Sequence, residues 1–433
     1  MEQKVAKVLS EIDYVQFQFT NISGELKAVE VPKKFAKKYL EEGLGIDGSS
    51  VGFLATEQSD MRISPDISTL HVIPWDNRIA RVICDITDTN GQPLQSDPRS
   101  ILKRAINLAK MDFNCEFKVR PEIEWYVMNP DGEPADIGGY MCVPPLDSEI
   151  ELRRMMTDFM MNFNIYPKML HHEVGPSQQE IEFVMTDVLV AADMVQTVKQ
   201  IIRMVSWNAG LVASFMPKPY TSEAGNGLHI HNMLFKDGKN LFSAEGNVPS
   251  ETLRFFVGGL IKHAQGLTAI FNPTVNSYKR LVPEHEAPVY ISWGMSNRTA
   301  LIRVPGYEKS ARIEYRGADT SANIYLLLGL LLASGLDGVK NQIEPIEGTI
   351  LNVDKLTEEK RKEMKIVRAP RTLKEAVAAL NSDKYLCDFL GPQFMEIYNR
   401  TKQMEWESYT KTVKNPNTTK VTEWEFNEMF ERI

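Results

Sequence analysis

Cysteine is scarce. Four occur in 433 residues, at Cys84, Cys115, Cys142 and Cys387, far apart and with no CxxC pair. That spacing excludes a zinc ribbon or a disulfide framework and fits a reducing compartment, so the cytoplasm is the expected location. Long hydrophobic runs are also missing. The longest, Ile324 to Leu336, covers 13 residues, short of the roughly 20 that span a bilayer, and predicts a buried helix rather than a membrane partner. The first residues, MEQKVAKVLSEIDY, lack the apolar core of a secretory signal. Basic residues are outnumbered, 49 Lys plus Arg against 57 acids for a net charge of −8, so no nucleic-acid partner is expected. No GxxxxGK[ST] loop and no GxSxG elbow occurs, which removes a P-loop nucleotide site and an α/β-hydrolase serine. What remains is 43% hydrophobic and 24% charged, the composition of a globular protein long enough for two or three domains.

The first hundred residues read as β-rich. Asp13 to Thr20 and Glu25 to Val31 flank the turn Asn21–Gly24 as a hairpin, Pro32 to Glu42 reads as a short helix, and Ile79 to Thr87 as a further strand. At Ser96-Asp97-Pro98 the pattern changes, because Asp97 can cap a helix whose first residue is Pro98. A boundary there predicts domains at 1–97 and 98–433. Beyond it, helical patterns at Glu149–Asn162, Val188–Asn208, Glu251–Gln265 and Thr320–Gly335 alternate with strand candidates at Glu122–Met128, Glu180–Met185, Gly227–Leu234, Val289–Trp293, Ala300–Val304 and Arg312–Tyr315. The fold class is α+β. The charged stretch 354–366 predicts a solvated helix.

The strand candidates carry an unusual load. Glu122 and Glu124 are two apart, as are His229 and His231, and as are Arg312, Glu314 and Arg316. On a strand each set points to one face, with apolar residues on the other. The segment 171–180 adds Glu173 and Glu180 around Gly175-Pro176, which can bend the chain and bring both acids to one point. Converging glutamates and histidines without thiolates are hard ligands, suited to Mg²⁺ or Mn²⁺, and their surplus suggests more than one ion. Arginines close by in sequence (Arg280, Arg298, Arg303, Arg312 and Arg316, with Lys309) match carboxylate and phosphate oxygens. Acids for metals with arginines for anions equip phosphoryl transfer.

These motifs in this order resemble the type I glutamine synthetase family: Asp47-Gly48-Ser49-Ser50, Pro121-Glu122-Ile123-Glu124, His171 to Phe183, Gly227 to His231, Asn272 to Pro288, Asn297 to Pro305, and Arg312 to Arg316. The resemblance implies a small N-terminal β-grasp-like domain and a large catalytic domain with a curved antiparallel sheet flanked by helices. It implies one metal site from Glu124, Glu173 and Glu180 and another from Glu122, His229 and Glu314. Arg280, Arg298, Arg316 and Gly225 would hold glutamate and the transferred phosphoryl, and His231, Arg303, Lys309 and Arg312 would bind ATP. Asp47 would take the proton from ammonium, with Ser50 and Tyr140 beside it, and Glu286 would sit on a flap that closes over glutamate. The implied assembly is a dodecamer of two hexameric rings, with active sites between subunits.

The implied activity is ATP-dependent ligation of ammonia to L-glutamate through γ-glutamyl phosphate. Two other readings share the fold: a γ-glutamyl–amine ligase using methylamine, a polyamine or another primary amine, and a non-catalytic assembly protein. The last needs no metal ligands, whereas all six stand here. Four departures from the family pattern bear on the donor: Ala224 in place of asparagine, Ser177 and Glu284 in place of glycine, and Gly317-Ala318-Asp319-Thr320 in place of Phe-Pro-Asp-Pro.

Overall fold

The computed structural model describes residues 2–54, 59–243, 248–283, 286–305 and 310–432. Its N-terminal sheet has five strands in the order Leu26–Pro32, Tyr14–Thr20, Ile79–Thr87, Asp60–Val72, Leu44–Asp47. The expected hairpin is present, with Phe17 opposite Val29 and Gly24 at φ +89° closing the turn. The central pairing, Tyr14–Thr20 with Ile79–Thr87, is parallel. Val15, Phe17 and Phe19 on one strand and Ala80, Val82, Cys84 and Ile86 on the other alternate into the core, and the helix Lys33–Glu42 lays Ala36 and Leu40 on it. This is the β-grasp arrangement.

Three N-terminal elements have no counterpart in the sequence reading, the short edge strand Leu44–Asp47 among them. The helix Glu2–Glu11 buries no residue fully and rests on the core through the short stripe Val5, Val8 and Leu9. The strand Asp60–Val72 carries Pro65 and a register shift between Asp66 and His71, and a bulge of that kind breaks the two-residue alternation.

Asp97 accepts hydrogen bonds from the backbone of Arg99 and Ser100, capping the helix Pro98–Phe113. The larger sheet has ten strands. Its main path runs Trp293–Met295, Ile302–Val304, Ile313–Tyr315, Leu228–Lys236, Glu116–Met128, Gln178–Phe183, Pro167–His172. All its pairings are antiparallel except Trp293–Met295 with Ile302–Val304, which is parallel. The expected strand Val289–Trp293 is split: Tyr290–Ile291 leaves to pair with Val367–Arg368.

Helices back the sheet. Val188–Asn208 has the expected bounds, and Glu251–Phe271 runs one and a half turns further than its pattern. The third starts at Ile324 rather than Thr320, because the Asn323 side chain caps it. Every residue from Ile324 to Gly338 is buried. Glycines let two of these helices cross at backbone contact: a Cβ on Gly259 would meet the Ser334 carbonyl oxygen at 2.1 Å, and one on Gly338 the Phe255 carbonyl at 2.0 Å. Within 354–366 the helix is only Glu358–Glu363, with no buried residue. No helix among the described residues is long and apolar enough to cross a membrane.

Arg99 ties the N-terminal sheet to the helix Val188–Asn208. Its guanidinium is 3% exposed and pairs with Asp85 at 2.7 Å and with Asp66 and Asp193 at 2.8 Å each. Asp66 and Asp85 stand on the N-terminal sheet, Asp193 on the helix Val188–Asn208. Among the described residues, Arg99→Ala leaves Asp66 and Asp193 without an ion-pair partner and Asp85 with Lys103 alone, at 2.5 Å. We expect a loss of about 3–5 kcal/mol, read as a lowered thermal midpoint. Arg99→Lys should recover only part of it, since one ammonium cannot replace the guanidinium fork.

Candidate active site

The two-residue spacing resolves into three transverse rows on one face of the ten-stranded sheet. Across the first, Arg303 lies opposite Glu314, Glu314 opposite His231, and His231 opposite Arg120. In the second, His229 lies opposite Glu122, and Glu122 opposite Glu182. In the third, Glu124 faces Glu180 and Glu180 faces His171. Residues between them on the same strands, such as Ile123, Ile181, Ile230 and Ile313, are fully buried on the other face. A cleft of about 730 Å³ covers the rows.

Fifteen of the eighteen residues singled out from sequence line this cleft: Glu122, Glu124, Tyr140, Glu173, Glu180, Gly225, His229, His231, Arg280, Glu286, Arg298, Arg303, Arg312, Glu314 and Arg316. Lys309 lies outside the described residues, as does the flap residue Glu284. Asp47 and Ser50 are described but do not line the cleft. Asp47 stands exposed at the end of its edge strand, accepting hydrogen bonds from the Ser49 amide and from the Ser49 and Ser50 hydroxyls. Those bonds, Ser50 first, hold its pKa well below the usual carboxylate range.

Ligand-competent groups gather in two sets, and the grouping differs from the one the resemblance implies. His231, expected at the nucleotide, joins Glu122 and Glu314; His171 joins Glu173 and Glu180. His231 Nε2 is 2.6 Å from Glu122, whereas His229 Nδ1 is 3.4 Å from it. Glu124 abuts the second set through Glu180, while its own carboxylate accepts from the Gly227 amide at 2.7 Å.

The two sets differ in charge balance. Burial opposes ionisation of Glu122, but hydrogen bonds from His229 and His231 outweigh it and hold its pKa far down. Glu314 is likewise held at about 2 against burial, chiefly by Arg316 and then by His231 and His229; Arg303 and Arg316 each donate to it at 2.6 Å. Across the cleft the balance reverses. Burial and then Glu124 push Glu180 strongly up, and burial and then Glu173 push Glu124 up. Among the described residues no lysine or arginine forms an ion pair with these oxygens, and oxygen-rich, thiolate-free sets of this kind suit a hard divalent cation.

Sequence reasoning missed Arg120, His171, Lys168 and Glu182 as parts of the cleft. Arg120 and Lys168 hold the two Glu182 oxygens at 2.6 and 3.0 Å. Arg120 stands two residues before Glu122 and Glu182 two after Glu180, so the same periodicity would have found both.

Support for the Glu173 bend had no sequence signal. His172 Nδ1 reaches the Glu173 carbonyl at 2.6 Å and its Nε2 reaches Asp136 at 3.0 Å. Asp136 also accepts from the Ser177 amide at 2.7 Å. Ser177 sits at φ +60°, a left-handed conformation that favours glycine, and its hydroxyl adds a contact to Asp136 that glycine could not make. Ala224 places only its carbonyl, which accepts from the Tyr126 hydroxyl at 2.7 Å. At Gly225 a Cβ would meet the Pro217 carbonyl at 2.5 Å and the Arg280 side chain at 2.8 Å, so the close approach requires glycine. Glu286 stands at φ +64° at the cleft edge, strained backbone of the sort found at ligand clamps.

This architecture has known relatives. The family described as "Glutamine synthetase, catalytic domain" matches residues 95–428, and "Glutamine synthetase, beta-Grasp domain" matches residues 11–89. The chain is 44% identical to the glutamine synthetase of Pyrococcus furiosus over 97% of each protein. It is 40% identical to that of Thermotoga maritima over 95% of this chain and 97% of the other. A solved structure described as a "GmaS/ADP complex" superposes with a TM-score of 0.87 at 30% identity, covering 98% of each chain. With both family domains matched in order and relatives aligned along almost its whole length, this chain belongs to the glutamine synthetase family.

Proposed function

We propose that this chain is a cytoplasmic glutamate–ammonia ligase, converting L-glutamate, ammonium and ATP into glutamine, ADP and phosphate. The observation that carries the reading is the cleft itself, where rows of carboxylates and imidazoles on one face of one sheet abut six arginines. The relatives named glutamine synthetase support it; the neighbour described with ADP supports the nucleotide, and as GmaS it leaves the amine-ligase reading to be tested.

A carboxylate is a poor acyl donor because oxide would have to leave. Phosphorylation by ATP makes γ-glutamyl phosphate, whose leaving group is phosphate. Arg280, Arg298 and Arg316, with the Gly225 backbone, orient glutamate and the transferred group through paired N–H contacts. Arg303, Arg312, His231 and Lys309 are assigned to the nucleotide. Glu124, Glu173 and Glu180 with His171 would hold one Mg²⁺ or Mn²⁺, and Glu122 and Glu314 with His229 or His231 another. When bound, these ions would neutralise charge on the phosphate oxygens. Ammonium has no lone pair, so Asp47, with Ser50 and Tyr140 near the same nitrogen, removes a proton before attack. Glu286 and the flap keep water from the acyl phosphate.

Asp47 does not line its own chain's cleft, so a second copy is proposed to supply it, within a dodecamer of two hexameric rings. Asp47→Ala and Arg298→Ala proteins should each be inactive, and mixing dissociated subunits should restore part of the activity by pairing intact halves. A fully active monomer would exclude this.

Glu122→Ala and Glu314→Ala should each lower turnover on the order of 10³-fold while assembly persists. Wild-type protein should gain about 2.7 kcal/mol of thermal stability at Mn²⁺ a hundredfold above its Kd, and Glu180→Ala should lose most of that gain. Wild-type turnover by Glu314→Ala at low Mg²⁺ would refute the two-ion assignment.

The nitrogen donor is tested by a panel. At saturating ATP and glutamate, kcat/KM for ammonia should exceed that for methylamine, ethanolamine and putrescine. A substituted amine has fewer hydrogen-bond donors and more apolar volume than a pocket of Asp47, Ser50, Tyr140 and Glu173 accommodates. Preference for a carbon-bearing amine would select the amine-ligase reading, and no ADP release with any amine the non-catalytic one.

A further inference from the structure

Behind the cleft lies a second, separate cavity of about 370 Å³ that the proposed reaction does not use. The two spaces share a wall, the helical turn Ser277–Arg280. Arg280 faces the cleft, while its neighbour Lys279 lines the rear cavity, with Leu281 and Val282 continuing that wall toward the flap.

Lys279 is an unusual group to find there. It is 3% exposed, and its ammonium donates to two neutral oxygens, the Tyr409 hydroxyl and the Thr418 carbonyl. No carboxylate among the described residues lies within ion-pair distance of it. An ammonium has three donors, so one is left for the cavity, and a buried cation without a counter-charge is costly. At the mouth stand Arg368 and Arg371, whose guanidiniums make no ion pair or hydrogen bond among the described residues. The one acid in the lining, Glu375, is engaged by the Arg371 backbone amide at 2.8 Å. Three cations thus face one carboxylate. The remaining walls combine apolar surface, led by Trp406 and Tyr409 with rings 5.9 Å apart, and the polar edge Asn417–Thr419.

We propose that this cavity binds a small organic oxyanion with an aromatic or apolar body, and that its occupancy is transmitted through the 277–280 turn to the position of Arg280. The anionic head would take the free Lys279 donor and an arginine fork, and the body would lie against Trp406. The cavity is at the small end of the range for small-molecule sites. The binding claim stands apart from the ligase assignment; only the effect on glutamate rests on it.

The probe is 3-phenylpropionate, with inorganic phosphate as head alone and 3-phenylpropanol as body alone, titrated calorimetrically into the assembled enzyme at saturating glutamate. Saturating glutamate closes the route through the glutamate pocket, and calorimetry reads binding whether or not the ligase reaction is the right one. We expect 3-phenylpropionate to bind at least tenfold more tightly than either partial probe. Lys279→Met and Trp406→Ala should each weaken it about tenfold, and the rim variant Arg371→Ala guards against misfolding of the first. Bound probe should shift KM for glutamate at least twofold in wild type and not in Lys279→Met. Absence of binding, binding displaced by glutamate, or binding indifferent to all three variants would overturn the site. Binding with an unchanged KM would overturn its connection to Arg280.

Discussion

Like charges crowded on one face of a sheet are the constraint from which the rest of this structure follows. Glu122, Glu124, Glu180, Glu182 and Glu314 stand within three adjacent rows, largely buried, where water cannot screen them. Such a set folds only if cations neutralise it or protons do. Arginines and histidines serve Glu122, Glu182 and Glu314. Glu124 and Glu180 are left to hold protons more tightly than usual, so a divalent ion gains most there.

Rigidity in the surrounding fold keeps that charge in place. Antiparallel pairing sets the rows to within one residue, and a slip of one would turn every carboxylate into the apolar core. The helices Glu251–Phe271 and Ile324–Lys340 cross at glycine contact behind the sheet, which leaves little freedom for its strands to shift. The Glu173 bend is held from beneath by Asp136 and His172 rather than by a regular ladder. The N-terminal sheet is tied on by Arg99, yet presents Asp47 away from the cleft of its own chain. That separation is the ground of the proposal that a second copy supplies Asp47.

The departures from the family pattern that lie among the described residues sit in the supporting backbone and hydrogen bonds around the cleft. Ser177 occupies a glycine conformation and repays the strain with a bond to Asp136. Ala224 contributes a carbonyl to Tyr126. Asp319, in the altered Gly317–Thr320 segment, accepts from Asn272 at 3.0 Å and from Ser321. None of these removes a carboxylate or guanidinium from the cleft.

Periodicity alone exposed much of this. The two-residue repeats at Glu122/Glu124, His229/His231 and Glu314/Arg316 placed their side chains on one face, because a strand alternates whatever its neighbours are. Asp97-Pro98 marked a helix start, and Ile324–Leu336 a buried helix, for equally local reasons. Tertiary structure decided which strands are adjacent, and hence that His231 meets Glu122 and Glu314 while His171 meets Glu173 and Glu180. Strand order is set by long-range burial, and no local pattern encodes it. The same holds for Asp136 beneath His172, 36 residues apart, for the strand Asp60–Val72 with its broken alternation, and for the cavity behind Lys279. Each depends on segments distant in the chain that meet only when the core closes.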